Sequence, residues 1–158
     1  MKTQVYIETS VVSYLTARPS RDITLASHQA FTREMWECLD NYDAYISELV
    51  LSEAGAGNPE AAQLRLNALD GFKKIAIDQD AKDLAAALIE GSAIPASQLE
   101  DALHLAVAAT NGMHVVITWN FKHLNNPFTR TLVRNIIERQ GYVCPELCSP
   151  EELLKGGD

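Results

Sequence analysis

Four polar side chains lie close to places where apolar runs of this sequence end. Glu8 directly follows the run VYI, and Asn120 comes just beyond the run VVI. Glu53 and Asp101 lie on candidate short helices further along the chain. Carboxylate and amide oxygens are hard ligands, which suit Mg²⁺ or Mn²⁺ far better than zinc. If these side chains meet, a divalent cation would relieve the repulsion between the carboxylates.

Each of these positions, taken alone, also has an ordinary structural explanation. An acid such as Asp101 in the first turn of a helix stabilises the helix dipole by about 0.3–1 kcal/mol. Glu53 could be a solvated surface acid, and Asn120 could cap a turn. Glu8 is harder to explain in this way, because an unpaired acid against a core strand is costly unless something compensates for it.

The elements that must position these residues are predicted to be strands alternating with helices. Apolar runs and turn residues predict strands at 5–7, 43–47, 75–77, 115–117 and 142–144. Such alternation favours a mostly parallel sheet that is covered on both faces. Ligands of parallel sheets collect at the carboxyl ends of the strands, near the switch point in strand order. Glu8 is predicted to lie at such an end.

Helix starts are predicted from capping residues. Thr9 or Ser10 is expected to cap the first helix, and Asn58 and Asp78 are expected to cap two later ones. The sequence SQLE, at 97–100, has the pattern of a capping box for the helix that carries Asp101.

Composition indicates an ordinary globular protein. The chain has 158 residues, of which 47% are hydrophobic and 22% charged, and this predicts a single domain over 1–158. The formal net charge of −8 gives nucleic-acid binding no general electrostatic support, so such binding would need a local basic patch.

The compartment is also predicted from composition. No segment reaches the ~20 apolar residues of a membrane helix, so we expect no membrane association. The apolar stretch near the N-terminus stops at Glu8, which argues against a signal peptide. An odd count of 3 cysteines fits a reducing cytoplasm best.

Four stretches carry a resemblance to a known family. They are YIETSVVSYL, SELVLSE, DALHLAVAATNG and TWNFKHL, and the resemblance continues into the C-terminal GYVCPELCSPEEL. In this order and spacing they resemble the PIN-domain family, and among its members the VapC-like toxins of bacterial toxin–antitoxin pairs. The resemblance implies a three-layer α/β/α sandwich around a mostly parallel sheet of about five strands. It also implies a metal-dependent endoribonuclease that leaves a 5′-phosphate and a 3′-hydroxyl.

The resemblance assigns roles to individual residues. The family's four acidic positions fall on Glu8, Glu53, Asp101 and Asn120, and the first three are expected to hold Mg²⁺ or Mn²⁺. Two hydroxyl positions that arrange the pocket fall on Ser10 and Thr118. This sequence departs from the family at two of these positions. The family's first acid is usually Asp, where this chain has Glu8, and its fourth is often Asp, where this chain has Asn120.

Glu48 competes with Glu53 for the second acidic position. Five residues on a helix separate two side chains by roughly 140°, so both cannot easily face one ion. The interval from Ser47 to Glu53 fits the spacing of the family better, so we select Glu53 for this position.

Basic residues and partners complete the expectations. Four side chains are candidates for contact with an RNA phosphate, namely Lys122, His123, Arg130 and Arg134. His104 could orient Asp101 or contact a phosphate, or it could be a hydrogen-bonded helix residue. The resemblance further implies a homodimer and a small antitoxin whose Arg or Lys reaches the acidic pocket. The alternative is a non-catalytic PIN module that binds RNA or a partner protein with a degraded pocket.

Overall fold

The central element of the fold is a parallel β-sheet. The computed structural model describes residues 1–120 and 127–156. Within these ranges the strands are β1 (Gln4–Ile7), β2 (Asp43–Ser47), β3 (Lys73–Ile75), β4 (Val115–Ile117) and β5 (Glu146–Cys148). They form one 5-stranded sheet in the order β3-β2-β1-β4-β5, and every neighbouring pair is parallel. The predicted parallel sheet of about five strands is confirmed.

Helices connect these strands and cover the sheet. They are α1 (Thr9–Thr16), α2 (Ile23–Glu37), α3 (Glu48–Ala54), α4 (Pro59–Leu69), α5 (Gln79–Glu90), α6 (Leu99–Thr110), α7 (Pro127–Arg139) and α8 (Pro150–Gly156). Helix α1 packs against α2, α3 and α4, whereas α5 packs against α6 and α7. Because parallel crossovers are right-handed, the reversal of strand order places these two groups on opposite faces. The result is the three-layer α/β/α arrangement that was predicted.

The central strand β1 explains why the apolar runs are continuous. Val5, Tyr6 and Ile7 are all fully buried, since helices cover both faces of the strand. Strand order reverses between β1 and β4, where Ile7 is paired with Ile117. The next residues, Glu8 and Thr118, therefore leave the sheet side by side at its switch point.

The helix starts were predicted with mixed success. The side chains of Asn58 and Asp78 cap α4 and α5, as expected. The expectation that Thr9 or Ser10 caps the first helix is wrong, because the side chain of Glu8 occupies that position. No side-chain cap precedes α6, where a short 3₁₀ turn at Ala96–Gln98 replaces the predicted capping box.

Two strands lie away from their predicted positions. The third strand is Lys73–Ile75 rather than 75–77, and the last is Glu146–Cys148 rather than 142–144. Pairing with a neighbour decides both positions, because Ser47 is in register with Ile75 and Ile117 with Cys148. Among the described residues, no helix combines the length and apolar character that crossing a membrane requires.

Candidate metal centre

The carboxylate of Glu8 is buried at the start of α1, where it caps the helix. Its Oε2 accepts a hydrogen bond from the Ser10 backbone N–H at 2.9 Å. Its Oε1 accepts from the Ser10 hydroxyl at 2.5 Å and from the Thr118 hydroxyl at 2.6 Å. These hydrogen bonds pair the buried oxygens of Glu8, and the side chain satisfies a backbone N–H of the first turn of α1. Part of the compensation that a buried Glu8 requires thus comes from the protein itself.

The hydroxyls of Ser10 and Thr118 also fix the backbone beyond β4. Ser10 Oγ accepts from the Trp119 backbone N–H at 3.0 Å, and Thr118 Oγ1 accepts from the Asn120 N–H at 2.8 Å. Each hydroxyl therefore links the carboxylate of Glu8 to the segment that carries Asn120. Both residues contact the pocket acid, in keeping with the arranging role that the resemblance implied.

Glu53 reaches the same place from the last turn of α3. Its Oε1 accepts a hydrogen bond from Thr9 Oγ1 at 2.6 Å and lies 2.6 Å from His104 Nε2. Burial acts to raise the pKa of Glu53, but the hydrogen bond and electrostatic attraction of His104, together with the hydrogen bond from Thr9, outweigh it and hold this pKa below its ordinary value. Glu53 is therefore held as a carboxylate.

The competing acid, Glu48, points elsewhere. Glu48 is exposed, and its Oε1 accepts a hydrogen bond from the backbone N–H of Ile77 at 2.5 Å. It thus fixes the chain beyond β3, whereas Glu53 on the same helix faces Glu8 and His104. The structure separates the two acids of α3 as their helical spacing required.

Asp101 and Asn120 form a second pair beside these acids. Asp101 lies in the first turn of α6, and its Oδ1 accepts a hydrogen bond from Asn120 Nδ2 at 3.1 Å. Asn120 is connected in turn to Glu8 through the Thr118 hydroxyl. Among the described residues, the group whose ligand atoms could share one ion consists of Glu8, Glu53 and His104, without Asp101. The predicted set of Glu8, Glu53 and Asp101 is therefore not the set that the geometry brings closest.

His104 is a fully hydrogen-bonded residue of α6. Its side chain is 1% exposed, with Nδ1 2.7 Å from the Tyr6 hydroxyl and Nε2 2.6 Å from Glu53 Oε1. Of the roles considered for it, the satisfied helix histidine describes it best. Its acidic partner is Glu53 rather than Asp101.

The clustered donors are compatible with a divalent cation. One ligand atom each from Glu8, Glu53 and His104 lies within 4.8 Å of the other two. Oxygen ligands on opposite sides of an ion with bonds of ~2.0–2.6 Å are separated by a similar distance. Among the described residues, Glu53 Oε2 has no hydrogen-bond partner, and Glu8 Oε2 accepts a single bond. These two oxygens have lone pairs available, and hard oxygen donors suit Mg²⁺ or Mn²⁺.

The candidate phosphate contacts are distributed unevenly. Lys122 and His123 lie outside the described residues. Arg130 is exposed on the first turn of α7, the helix that follows β4 along the chain. Arg134 instead pairs with Glu146 at 3.2 Å, at the amino end of β5 and so at the opposite edge. The structure does not bring Arg134 to the candidate site.

Three residues of the site were missed by the reasoning from sequence. Thr9 contacts Glu53, Tyr6 contacts His104, and Ser47 contacts Tyr6 through hydroxyls 2.8 Å apart. One signal was available, because a tyrosine within an otherwise apolar central strand needs a buried partner for its hydroxyl. The identity of that partner depends on the fold.

The similarity of this chain to known proteins lies in its structure. Neither a protein-family model nor a curated protein matches the sequence. Among solved structures, one match is to VapBC2 from Rickettsia felis, solved bound to a DNA fragment from its promoter. It has a TM-score of 0.61 at 17% identity and covers 93% of this chain and 98% of that chain.

Two further solved structures agree with this match. A toxin–antitoxin complex from Klebsiella pneumoniae matches with a TM-score of 0.55 at 22% identity, covering 79% of this chain and 93% of that chain. VapC20 from Mycobacterium tuberculosis is described as a toxin that cleaves the sarcin–ricin loop. It matches with a TM-score of 0.54 at 14% identity, covering 88% of this chain and 96% of that chain. With its parallel sheet and two helical layers, the chain has the PIN-domain fold of the VapC toxins.

Proposed function

We propose that this protein is a Mg²⁺- or Mn²⁺-dependent endoribonuclease, and that it acts as the toxin of a toxin–antitoxin pair. The observation that carries the proposal is the meeting of Glu8 and Glu53 at the switch point of a PIN-like sheet. The similarity in fold to VapC20, a toxin that cleaves the sarcin–ricin loop, supports RNA as the substrate.

Glu8, Glu53 and Asp101 are the proposed metal ligands, with Asn120 completing the pocket. A bound Mg²⁺ or Mn²⁺ would polarise a phosphodiester oxygen and lower the pKa of the attacking water. In-line attack of that water on phosphorus breaks the bond to the 3′ oxygen, which takes up a proton. One fragment keeps a 5′-phosphate and the other a 3′-hydroxyl.

The protein's own side chains prepare this pocket. The hydroxyls of Ser10 and Thr118 hold Glu8, and the hydrogen bond between Asn120 and Asp101 orients the acid of α6. Arg130, which is exposed on the first turn of α7, is the proposed contact to the RNA backbone. Lys122 and His123 come two and three residues after Asn120 in the sequence and are retained as candidate phosphate contacts.

The deciding experiment compares RNA cleavage by wild type and by Asp101→Asn, with Mn²⁺ and with a chelator. The substitution keeps the shape of the side chain but removes a negative charge, so we expect cleavage to fall at least 100-fold. Glu100→Gln is the matched control, because Glu100 is an exposed acid in the same turn of α6. If neither the chelator nor Asp101→Asn reduces cleavage, the activity belongs to a contaminant or to another site.

The partner proposal is a homodimer that binds a small antitoxin. The acidic pocket favours an Arg or Lys of that antitoxin near Glu8 and Asp101, and one neighbour in structure is itself a toxin–antitoxin complex. Co-expression with the adjacent reading frame should yield a complex, and light scattering of the chain alone should report a dimer. A monomer at high concentration would contradict the first part of this proposal, and the absence of a complex would contradict the second.

One observation favours a second candidate, a non-catalytic module that binds RNA or a partner protein. The carboxylate of Glu8 already accepts three hydrogen bonds from the protein, and Asn120 is neutral where the family often has an acid. Such a module would bind RNA equally well with and without a chelator and would cleave none of it. The cleavage assay with Mn²⁺ therefore separates the two candidates.

A further inference from the structure

A line of buried polar groups runs from the core of the protein to Glu53. The Ser47 hydroxyl lies 2.8 Å from the Tyr6 hydroxyl, which in turn lies 2.7 Å from His104 Nδ1. His104 Nε2 is 2.6 Å from Glu53 Oε1. Tyr6, Ser47 and His104 are each no more than 1% exposed. Polar groups this deeply buried are costly unless every donor and acceptor is paired.

The position of each proton along this line follows from the two ends. At one end, Glu53 is a carboxylate and can only accept, so His104 Nε2 must carry the proton that lies between them. At the other end, Ser47 Oγ accepts from the Val50 backbone N–H at 3.3 Å. Burial raises the pKa of Tyr6 far above its ordinary value, so its phenol keeps its proton.

One assignment of the protons satisfies all of these groups. Nδ1 is then an acceptor and takes the proton of the Tyr6 hydroxyl, whose oxygen accepts the proton of Ser47. A proton on Nδ1 would reverse this order, and the Ser47 proton would then have no acceptor among the described residues. The line of hydrogen bonds therefore selects the ring with its proton on Nε2 and with Nδ1 as an acceptor.

We infer that His104 is a positioning residue which, fixed as its Nε2–H tautomer by Tyr6 and Ser47, holds Oε1 of Glu53 so that Oε2 faces the metal pocket. This inference rests on the proposed function in one respect, because it takes Glu53 to be a metal ligand. His104 itself is not a ligand, since both ring nitrogens are engaged with Tyr6 and Glu53. Outer residues of this kind typically change metal affinity by about 10–100-fold when they are removed.

The tautomer is tested directly on the full-length protein, without RNA. Long-range ¹H–¹⁵N NMR spectra of the imidazole should show a protonated Nε2 and an unprotonated Nδ1 for His104, unchanged when Mg²⁺ is added. His104→Gln identifies the signals by their loss. A protonated Nδ1, or a loss of the Nε2 proton when Mg²⁺ is added, would overturn the inference.

Metal affinity is tested by titrating Mn²⁺ into wild type and variants in a calorimeter. His104→Leu removes the donor to Glu53, and we expect affinity to fall about 10–100-fold. His104→Gln restores an amide donor near the position of Nε2 and should recover most of that loss. His114→Leu is the matched control, because His114 is exposed and contacts the Gln4 backbone at the opposite edge of the sheet.

Tyr6→Phe extends the test to a residue that touches none of the proposed ligands. Loss of the Tyr6 hydroxyl allows the ring of His104 to carry its proton on Nδ1 instead of Nε2. The affinity for Mn²⁺ should therefore fall, although the acids themselves are unchanged. In the His104→Gln background the same substitution should have little further effect. Circular dichroism confirms that each variant is folded, and equal affinities for folded wild type, His104→Leu and Tyr6→Phe would refute the positioning role.

The outcomes for the two proposals are distinguishable. If the wild type binds no Mn²⁺, the proposed metal-dependent function fails, whereas the NMR spectra still decide the tautomer. If the wild type binds Mn²⁺ and the variants bind it equally well, the function stands and the inference about His104 fails.

Discussion

Thr118 Oγ1 lies 2.6 Å from Glu8 Oε1, although 110 positions of the sequence separate the two residues. The contact closes the gap between the ends of β1 and β4, where the order of the strands reverses. The same hydroxyl accepts the N–H of Asn120, so it supports a carboxylate on one side and a backbone turn on the other.

Replacing Thr118 with valine should therefore destabilise the protein. The substitution keeps the shape of a fully buried side chain but removes the acceptor of the Asn120 N–H and removes a donor from the buried carboxylate of Glu8. An unsatisfied buried group costs about 1–3 kcal/mol, so the free energy of unfolding should fall by about that amount in urea denaturation. Thr118→Ser keeps the hydroxyl and should recover most of the loss. Equal stability of Thr118→Val and wild type would show that water replaces this hydroxyl.

The two acids of α3 should respond differently to the same substitution. Glu53→Gln removes the charge of a proposed ligand, so Mn²⁺ affinity should fall at least 10-fold in calorimetric titration. Glu48→Gln is the control, because Glu48 is exposed and contacts the chain beyond β3. A loss of affinity in Glu48→Gln with none in Glu53→Gln would assign the second acidic position to Glu48.

The two arginines of α7 should also behave differently toward RNA. Arg130 is exposed on the first turn of α7 and is a proposed RNA contact, whereas Arg134 pairs with Glu146 at the far edge of the sheet. We expect Arg130→Ala to weaken RNA binding and to reduce the slope of log affinity against log salt by about 0.7, the value for one contact to single-stranded RNA. Fluorescence anisotropy in the presence of a chelator measures binding without cleavage. Arg134→Ala should leave the slope unchanged, and equal effects of both changes would contradict this assignment.

Two of the cysteines should resist alkylation in the folded protein. Burial raises the pKa of the Cys144 thiol and raises that of Cys148 to about 12, so little thiolate is present at pH 8. Since the thiolate is the reactive form, both should react with iodoacetamide far more slowly than in urea. Raising the pH toward the pKa should accelerate the reaction, and mass spectrometry of digested peptides measures each site. Labelling of native Cys148 as fast as in the unfolded chain would contradict this prediction.

The strands that were correctly predicted from sequence share one property. β2 and β4 were predicted at their observed positions, and Glu8 was predicted at the end of β1, because polar or turn residues sharply bound these apolar runs. β3 and β5 each begin with a polar residue, and longer apolar stretches near them, at 75–77 and 142–144, attracted the prediction instead. Their positions depend on register with a neighbouring strand, which propensity alone does not contain.

The candidate site was predicted only in part, because some of its contacts join residues that are far apart in the sequence. Glu8 and Glu53 follow from strand ends and from the family resemblance, and the structure brings them together. The line from Tyr6 to His104 spans 98 positions of the sequence, so no local pattern could reveal it. The capping role of Glu8 was missed because glutamate is not among the residues that usually begin a helix.

The strand order also bears on synthesis at the ribosome. β1 is synthesised first, but one of its two neighbours in the sheet is β4, which is synthesised much later. The pocket therefore needs residues that are far apart in the sequence. A nascent chain whose translation has not yet reached Thr118 lacks the hydroxyl that holds Glu8, and it also lacks Asn120. Since chains emerge from the N-terminus at ~5–20 residues per second, the acids remain unassembled for some seconds of translation. Truncated products that stop before β4 would be without the assembled pocket.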